Sequence, residues 1–120
     1  MADGVIWGTS KLIDAGDMSA DITATINLKG ARHARLQFDS AAAGSRAGVI
    51  YVQESSDNST YTSRKLIATS TGASVNYLTV TTLTLLADSV TVETDAQYLR
   101  VFWDFTSGVG TLNCLVTVKA

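Results

Sequence analysis

The chain has 120 residues, with nine Lys or Arg against eleven Asp or Glu, a formal net charge of −2, 17% charged residues and 46% hydrophobic residues. That balance lacks the clustered basic surface that a phosphate backbone demands, so no nucleic-acid partner is expected. No apolar run approaches the ~20 residues of a membrane-spanning helix, and a single cysteine, Cys114, excludes an internal disulfide.

The length suits one domain over residues 1–120, large enough to bury a core without disulfides or metals. Ser and Thr make up roughly a quarter of the chain, and Thr favours a pleated, half-buried surface. Proline is absent, so Gly, Ser, Asp and Asn must punctuate the chain. Met1-Ala2-Asp3-Gly4 shows no basic region leading into an apolar run, and no secretory leader is expected.

Period-two alternation then recurs along the sequence, the mark of half-buried strands. A short strand is expected between Gly4 and Ile13, around Val5, Ile6 and Trp7. From Ala20 to Leu28, Ile22, Ala24, Ile26 and Leu28 share one face and Asp21, Thr23, Thr25 and Asn27 the other. Lys29-Gly30 ends that run, and Arg32 to Phe38 follows with Ala34, Leu36 and Phe38 inward. Asp39 to Ala47 is small and Gly-containing, which predicts a loop, with one helical turn near Asp39 to Ser45 as the only helix expected.

Gly48 to Glu54 reads as a strand, and Ser55 to Ser59 as a turn whose side chains bond their own backbone. Tyr61 to Ala68 is predicted as a strand and Thr69 to Ser74 as a loop. Val75 to Ala87 is predicted as one long strand; its centre does not alternate, which a bulge or burial on both faces would explain. A strand follows from Asp88 or Ser89 to Glu93. Gln97 to Phe105, Thr106-Ser107-Gly108-Val109-Gly110 and Thr111 to Ala120 then read as strand, turn and strand, predicting a terminal hairpin. Leu99, Val101 and Trp103 share one face of its first strand and Tyr98, Arg100 and Phe102 the other, so that strand is expected to be central. Leu112, Cys114, Val116 and Val118 are expected to face the core. About eight strands with regular turn signals predict an all-β fold, an antiparallel β-sandwich, jelly-roll-like or Ig-like, with little or no helix.

No set of residues carries reaction chemistry, so no enzyme and no cofactor is expected. A nucleophilic triad needs a base that titrates near neutrality; the single histidine, His33, lies between arginines on an outward face and reads as a surface residue. A zinc site needs three or four His, Cys or acidic ligands, and none is expected. Glu54 with Asp57 and Glu93 with Asp95 fall at turns, where acids are common in any protein, rather than forming the carboxylate pair of a glycosidase. Glu54, Asp57, Asn58 and Ser59 gather hard oxygens, but an Asx turn explains the same residues without calcium. Cys114 reads as a small buried apolar residue. Trp103 reads as core, whereas Trp7 reads as an exposed or interface aromatic.

Two segments carry a resemblance. Tyr51-Val52-Gln53-Glu54-Ser55-Ser56-Asp57-Asn58-Ser59-Thr60-Tyr61 has the form strand, Gln, Ser, Asp-containing turn, aromatic. Tyr98-Leu99-Arg100-Val101 and Thr106-Ser107-Gly108-Val109-Gly110-Thr111-Leu112 supply its usual C-terminal partner. Together they resemble small β-sandwich auxiliary structural proteins of tailed bacteriophages, including capsid decoration (cement) proteins. The first element is also similar to discoidin-like carbohydrate-binding sandwiches, although Asp57-Asn58 and Tyr61 stand where such segments usually place Asp-Gly and Trp. The resemblance implies a virion protein made in the cytoplasm of a bacterial host. It would bind a major capsid protein and stabilise the head as a homo-oligomer, a trimer at capsid three-fold positions. Residues 1–17 would be the capsid-contacting or subunit-linking segment, through Val5, Ile6, Trp7, Leu12 and Ile13. The alternative is a carbohydrate-binding module on a head or tail fibre, with Tyr51, Asp57, Asn58 and Tyr61 as the glycan site.

Overall fold

The computed structural model describes residues 8–41, 46–63, 68–69, 77–82 and 86–119. They form ten strand segments: β1 (Gly8–Asp17), β2 (Ile22–Asn27), β3 (His33–Ala41), β4 (Arg46–Ser55), β5 (Thr62–Ser63), β6 (Ala68–Thr69), β7 (Tyr77–Thr82), β8 (Leu86–Glu93), β9 (Tyr98–Gly108) and β10 (Thr111–Lys119). One sheet has the order β1-β10-β3-β8-β6; the other has β2-β9-β4-β5, with β7 alongside β4 as well. All pairings are antiparallel.

The topology has a simple origin. β1 pairs with β10, β2 with β9, β3 with β8 and β4 with β7, so the chain is one long antiparallel ribbon doubled back on itself. Rolling that ribbon puts successive strands in opposite sheets, and only the β4–β5 connection stays within one sheet. This is the jelly-roll arrangement of two packed sheets, and of the two sandwich types expected from the sequence it is the jelly roll that forms.

The alternating residues meet between the sheets. Leu36, Val90, Leu112, Cys114 and Val116 come from one sheet and Ile50, Val52, Leu99, Val101 and Trp103 from the other, each at most 1% exposed. Met18, fully buried at the β1–β2 corner, closes one side. Its carbonyl accepts a hydrogen bond from the Trp103 indole N–H at 3.1 Å, and its sulfur accepts one from the Ser40 hydroxyl at 3.2 Å. These bonds satisfy the buried polar groups that would otherwise lose water without compensation. Gly48 lies under Trp103 where β4 bulges against β9; a Cβ there would sit 2.5 Å from Trp103 Cη2 and 2.5 Å from the Asp104 carbonyl.

Four sequence expectations are corrected. The terminal hairpin is an arch between sheets: β9 lies between β2 and β4, and β10 between β1 and β3. β9 has β4 beside it along Tyr98–Gly108 and β2 along Tyr98–Trp103, with the Phe105 amide donating to Asp21, so the chain crosses at Gly108 (φ 93°) and stacks Leu112, Cys114 and Val116 over β9 instead of beside it. The long strand from Val75 is two, β7 in one sheet and β8 in the other, so a change of sheet and not a bulge separates their patterns. Tyr61 to Ala68 is likewise not one strand, because β5 ends at Ser63 and β6 begins at Ala68 in the opposite sheet. Asp39 to Ala41 is strand rather than loop or helical turn, paired with Thr111 to Asn113; residues 42–45 lie outside the described set.

Candidate functional site

β4 and β9 run side by side in the register Tyr51–Phe102, Gln53–Arg100 and Ser55–Tyr98. Their inward residues build the core, so these alternate residues must form the outer face of the sheet. There the Tyr51 and Phe102 rings stack at 6.2 Å between centroids and 17° between planes. One row on, Arg100 Nε donates to Gln53 Oε1 at 2.7 Å while its guanidinium lies 4.0 Å over the Tyr61 ring. The face thus combines apolar ring surface with a cation held by a hydrogen bond and by the ring quadrupole.

The Ser55–Thr60 turn fixes Tyr61. Asp57 Oδ1 accepts from Ser55 Oγ at 2.8 Å and from the Ser59 and Thr60 amides at 2.9 Å each. Ser55 Oγ accepts in turn from the Asp57 and Asn58 amides, and Asn58 adopts φ 59°. These donors hold the Asp57 carboxyl below its ordinary value, with the Thr60 and Ser59 amides the leading causes. Asn58 Oδ1 accepts from the Tyr61 hydroxyl.

Beyond the turn, the β2–β3, β4–β5 and β8–β9 connections meet at one end of the sandwich. A shallow cleft of about 240 Å³ is lined by Arg32, Glu54, Glu93, Thr94, Asp95 and Ala96. A second of about 280 Å³ adjoins it through Glu54 and Ala96 and reaches Asp57 and Thr60. Thr94 is buried and donates its hydroxyl to Glu54, while the Ala96 amide donates to Thr94 at 3.0 Å. Arg32 pairs with Asp95 at 2.7 Å and His33 with Glu93 at 2.7 Å. Among the described residues no three His, Cys, Asp or Glu side chains group so as to hold a metal.

Of the residues expected to bind glycan, Tyr51 and Tyr61 contribute to the outer face, each half-buried. Asn58 touches Tyr61, and Asp57 serves the turn's own backbone. Arg100, Phe102 and Gln53 also belong to this face; their shared parity on β9 and β4 was visible in the sequence, but the pairing of those two strands was not. Of the expected interface residues, Val5, Ile6 and Trp7 lie outside the described set. Leu12 and Ile13 sit in β1, an integral strand of the first sheet. Ile13 is 5% exposed within the core and Leu12 packs against that core, so Ile13 offers no surface to a partner. Glu54 and Glu93, expected as turn acids, line the end cleft.

No family model and no curated protein sequence matches this chain. Solved structures do. The SPBc2 prophage-derived protein YomS matches with a TM-score of 0.64 at 11% identity, over 91% of this chain and 90% of that one. The likeness is one of fold. The PBSX exported protein XepA matches with a TM-score of 0.63 at 14% identity, over 94% of this chain but only 37% of its own. The enzymatically active domain of tailspike protein 4 from bacteriophage CBA120 matches with a TM-score of 0.51 at 11% identity, over 82% of this chain and 13% of that one.

Proposed function

We propose that this chain is a non-enzymatic structural protein of a tailed-phage particle, acting as a decoration protein on the outer surface of the head. The observation that carries the reading is the fold shared with the prophage-derived YomS over nine-tenths of both chains. The phage-type wording of the Tyr51–Tyr61 and Tyr98–Leu112 segments, noted from the sequence, supports it independently. Such a protein acts by bridging capsid subunits, so the work is done by surface complementarity and not by a reactive group. The experiment is reconstitution: purified protein is mixed with expanded heads that lack it, and the heads are sedimented. Saturable co-sedimentation and a higher temperature of DNA release are expected. Failure to bind heads while binding tails or fibres would refute decoration.

A second reading is favoured by one specific feature, the Tyr51–Phe102 stack beside Arg100 on Tyr61. Flat rings flanked by hydrogen-bonding groups suit the apolar and hydroxyl faces of a sugar, which supports a carbohydrate-binding module on a head or tail fibre. Binding to surface polysaccharide that is lost in Tyr51→Ala and Phe102→Ala, with head binding absent, would favour this reading over the first.

A further inference from the structure

Among the described residues β2 is an edge strand, and its own sequence carries no device against pairing. It is the last strand of its sheet, bonded to β9 on one side, and among the described residues nothing pairs with its other side. Natural edges are blunted by charge, proline, bulges or brevity. β2 spans Ile22–Asn27 with no charged residue, no proline and no register shift. The contrast with β1, the edge of the other sheet, is direct: β1 carries Lys11, Asp14 and Asp17, two register shifts, and Ala15 at φ 53°. β5 and β6 are two residues each, and β7, at the far side of the sheet that holds β2, pairs with β4 alone among the described residues.

The inward side of β2 is also unfinished. Ile22, Ala24 and Ile26 are only half-buried, although their register partners on β9, Trp103, Val101 and Leu99, are 0%, 0% and 1% exposed. The lateral wall of the core therefore ends in apolar side chains open to one side.

We propose that this edge pairs with β2 of a second copy of the chain, antiparallel about a two-fold axis through Ala24. Residues directly opposite in an antiparallel pair share a face. Centring on Ala24 sets Ile22 against Ile26, Thr23 against Thr25 and Ala24 against itself, so every apolar side chain meets an apolar one and the threonines form an outer ladder. Asp21 then falls opposite Asn27, and no like charges face each other. Shifting the centre by one residue changes the parity match only in part: a centre on Thr25 loses the Ile22 pair, and a centre between residues sets inward against outward side chains. Self-complementarity of this kind is what a two-fold interface requires. Six residues from each copy bury a modest area, and interfaces below roughly 1,200 Å² sit at the weak end of stable association, so the dimer forms in the micromolar range. The two joined sheets would continue the outer aromatic face from one copy to the next.

The test is sedimentation equilibrium of the whole chain from low to high micromolar concentration, with two double variants. Both carry Thr25→Lys, which lies beside Arg100 within the sheet, so that local effect is common to them. With Thr23→Lys as the second change, like charges face each other twice across the axis, and the dissociation constant should rise by at least about tenfold. With Thr23→Glu instead, opposite charges face each other, and it should stay within about threefold of the parent. Thr23 and Thr25 are exposed, and matching melting curves establish that both variants fold. A parent chain that is monomeric throughout overturns the proposal. So does a trimer or open chain, which needs two different edges, and so does a dimer indifferent to the sign of residue 23. Head binding is measured separately, so the decoration reading can fail or stand on its own.

Discussion

Replacing Gly48 with alanine tests the closest packing in the core. The new Cβ would lie 2.5 Å from the Asp104 carbonyl oxygen, 2.5 Å from Trp103 Cη2 and 2.8 Å from Trp103 Cζ2, against an ordinary contact of 3.4–4 Å. Relief needs movement of about 1 Å on two sides in a close-packed interior. One side is backbone held in the β4–β9 ladder, and the other is an indole 0% exposed and tethered to the Met18 carbonyl. Overpacking costs ~1–3 kcal/mol, and two simultaneous clashes put Gly48→Ala near the top, about 3 kcal/mol. A 120-residue domain has ΔG of about 5–15 kcal/mol, so Tm should fall by roughly 10 °C.

The decisive comparison is a cycle with Trp103→Phe. That change alone removes the fused ring and orphans the Met18 carbonyl, costing about 2–4 kcal/mol. It also removes the atoms that the Cβ would strike, while the Asp104 carbonyl stays. The double variant should therefore be less destabilised than the sum by about 1–1.5 kcal/mol. Urea unfolding followed by far-UV circular dichroism measures all four corners, because the probe does not depend on Trp103. Independent sites add to within ~0.5 kcal/mol. Strict additivity, or a Gly48→Ala cost under about 1 kcal/mol, would refute the packing account.

Gly16, Cys114 and Asp57 give further outcomes. Gly16→Ala should cost less than Gly48→Ala in the same unfolding assay, because its Cβ would overlap side-chain atoms alone, Ile13 Cγ2 at 2.8 Å and Ile22 Cδ1 at 2.9 Å, while the Leu112 carbonyl stays at an ordinary 3.5 Å. Burial pushes the Cys114 thiol up to about 12, so native protein at pH 8 should resist a thiol reagent that labels unfolded protein at once. Because the unfolded thiol ionises first, near its ordinary value of 9.0, Cys114 should make stability fall as pH rises from there toward about 12. Asp57→Ala should raise hydrogen exchange at the Ser59 and Thr60 amides while leaving the β4–β9 amides protected. Since the folded carboxyl lies below its ordinary 3.8, the Asp57 contribution should be present above that pH and vanish as pH falls through the lowered value.

Much of the inside of this protein was legible along the chain. Alternation from Ile22 to Leu28, Ala34 to Phe38 and Leu112 to Val118 marks which side chains turn inward, because the period of a strand is local geometry. The bulk on both faces of Tyr98 to Trp103 identified β9 as a central strand, and the Asp57 turn was readable because its bonds span two or three residues. What lay outside the sequence was which strand neighbours which. The Gly108–Gly110 turn has the same wording whether the chain doubles back in one sheet or crosses to the other. The choice is made by whether β9 already has neighbours on both sides, and those are β2 and β4, roughly 75 and 50 residues away. The Arg100–Tyr61 and Tyr51–Phe102 contacts share that origin, since they exist only through the β4–β9 register. Local residue patterns determine faces through short-range stereochemistry; long-range pairing and rolling of the ribbon decide neighbours, and with them every surface that a partner could meet.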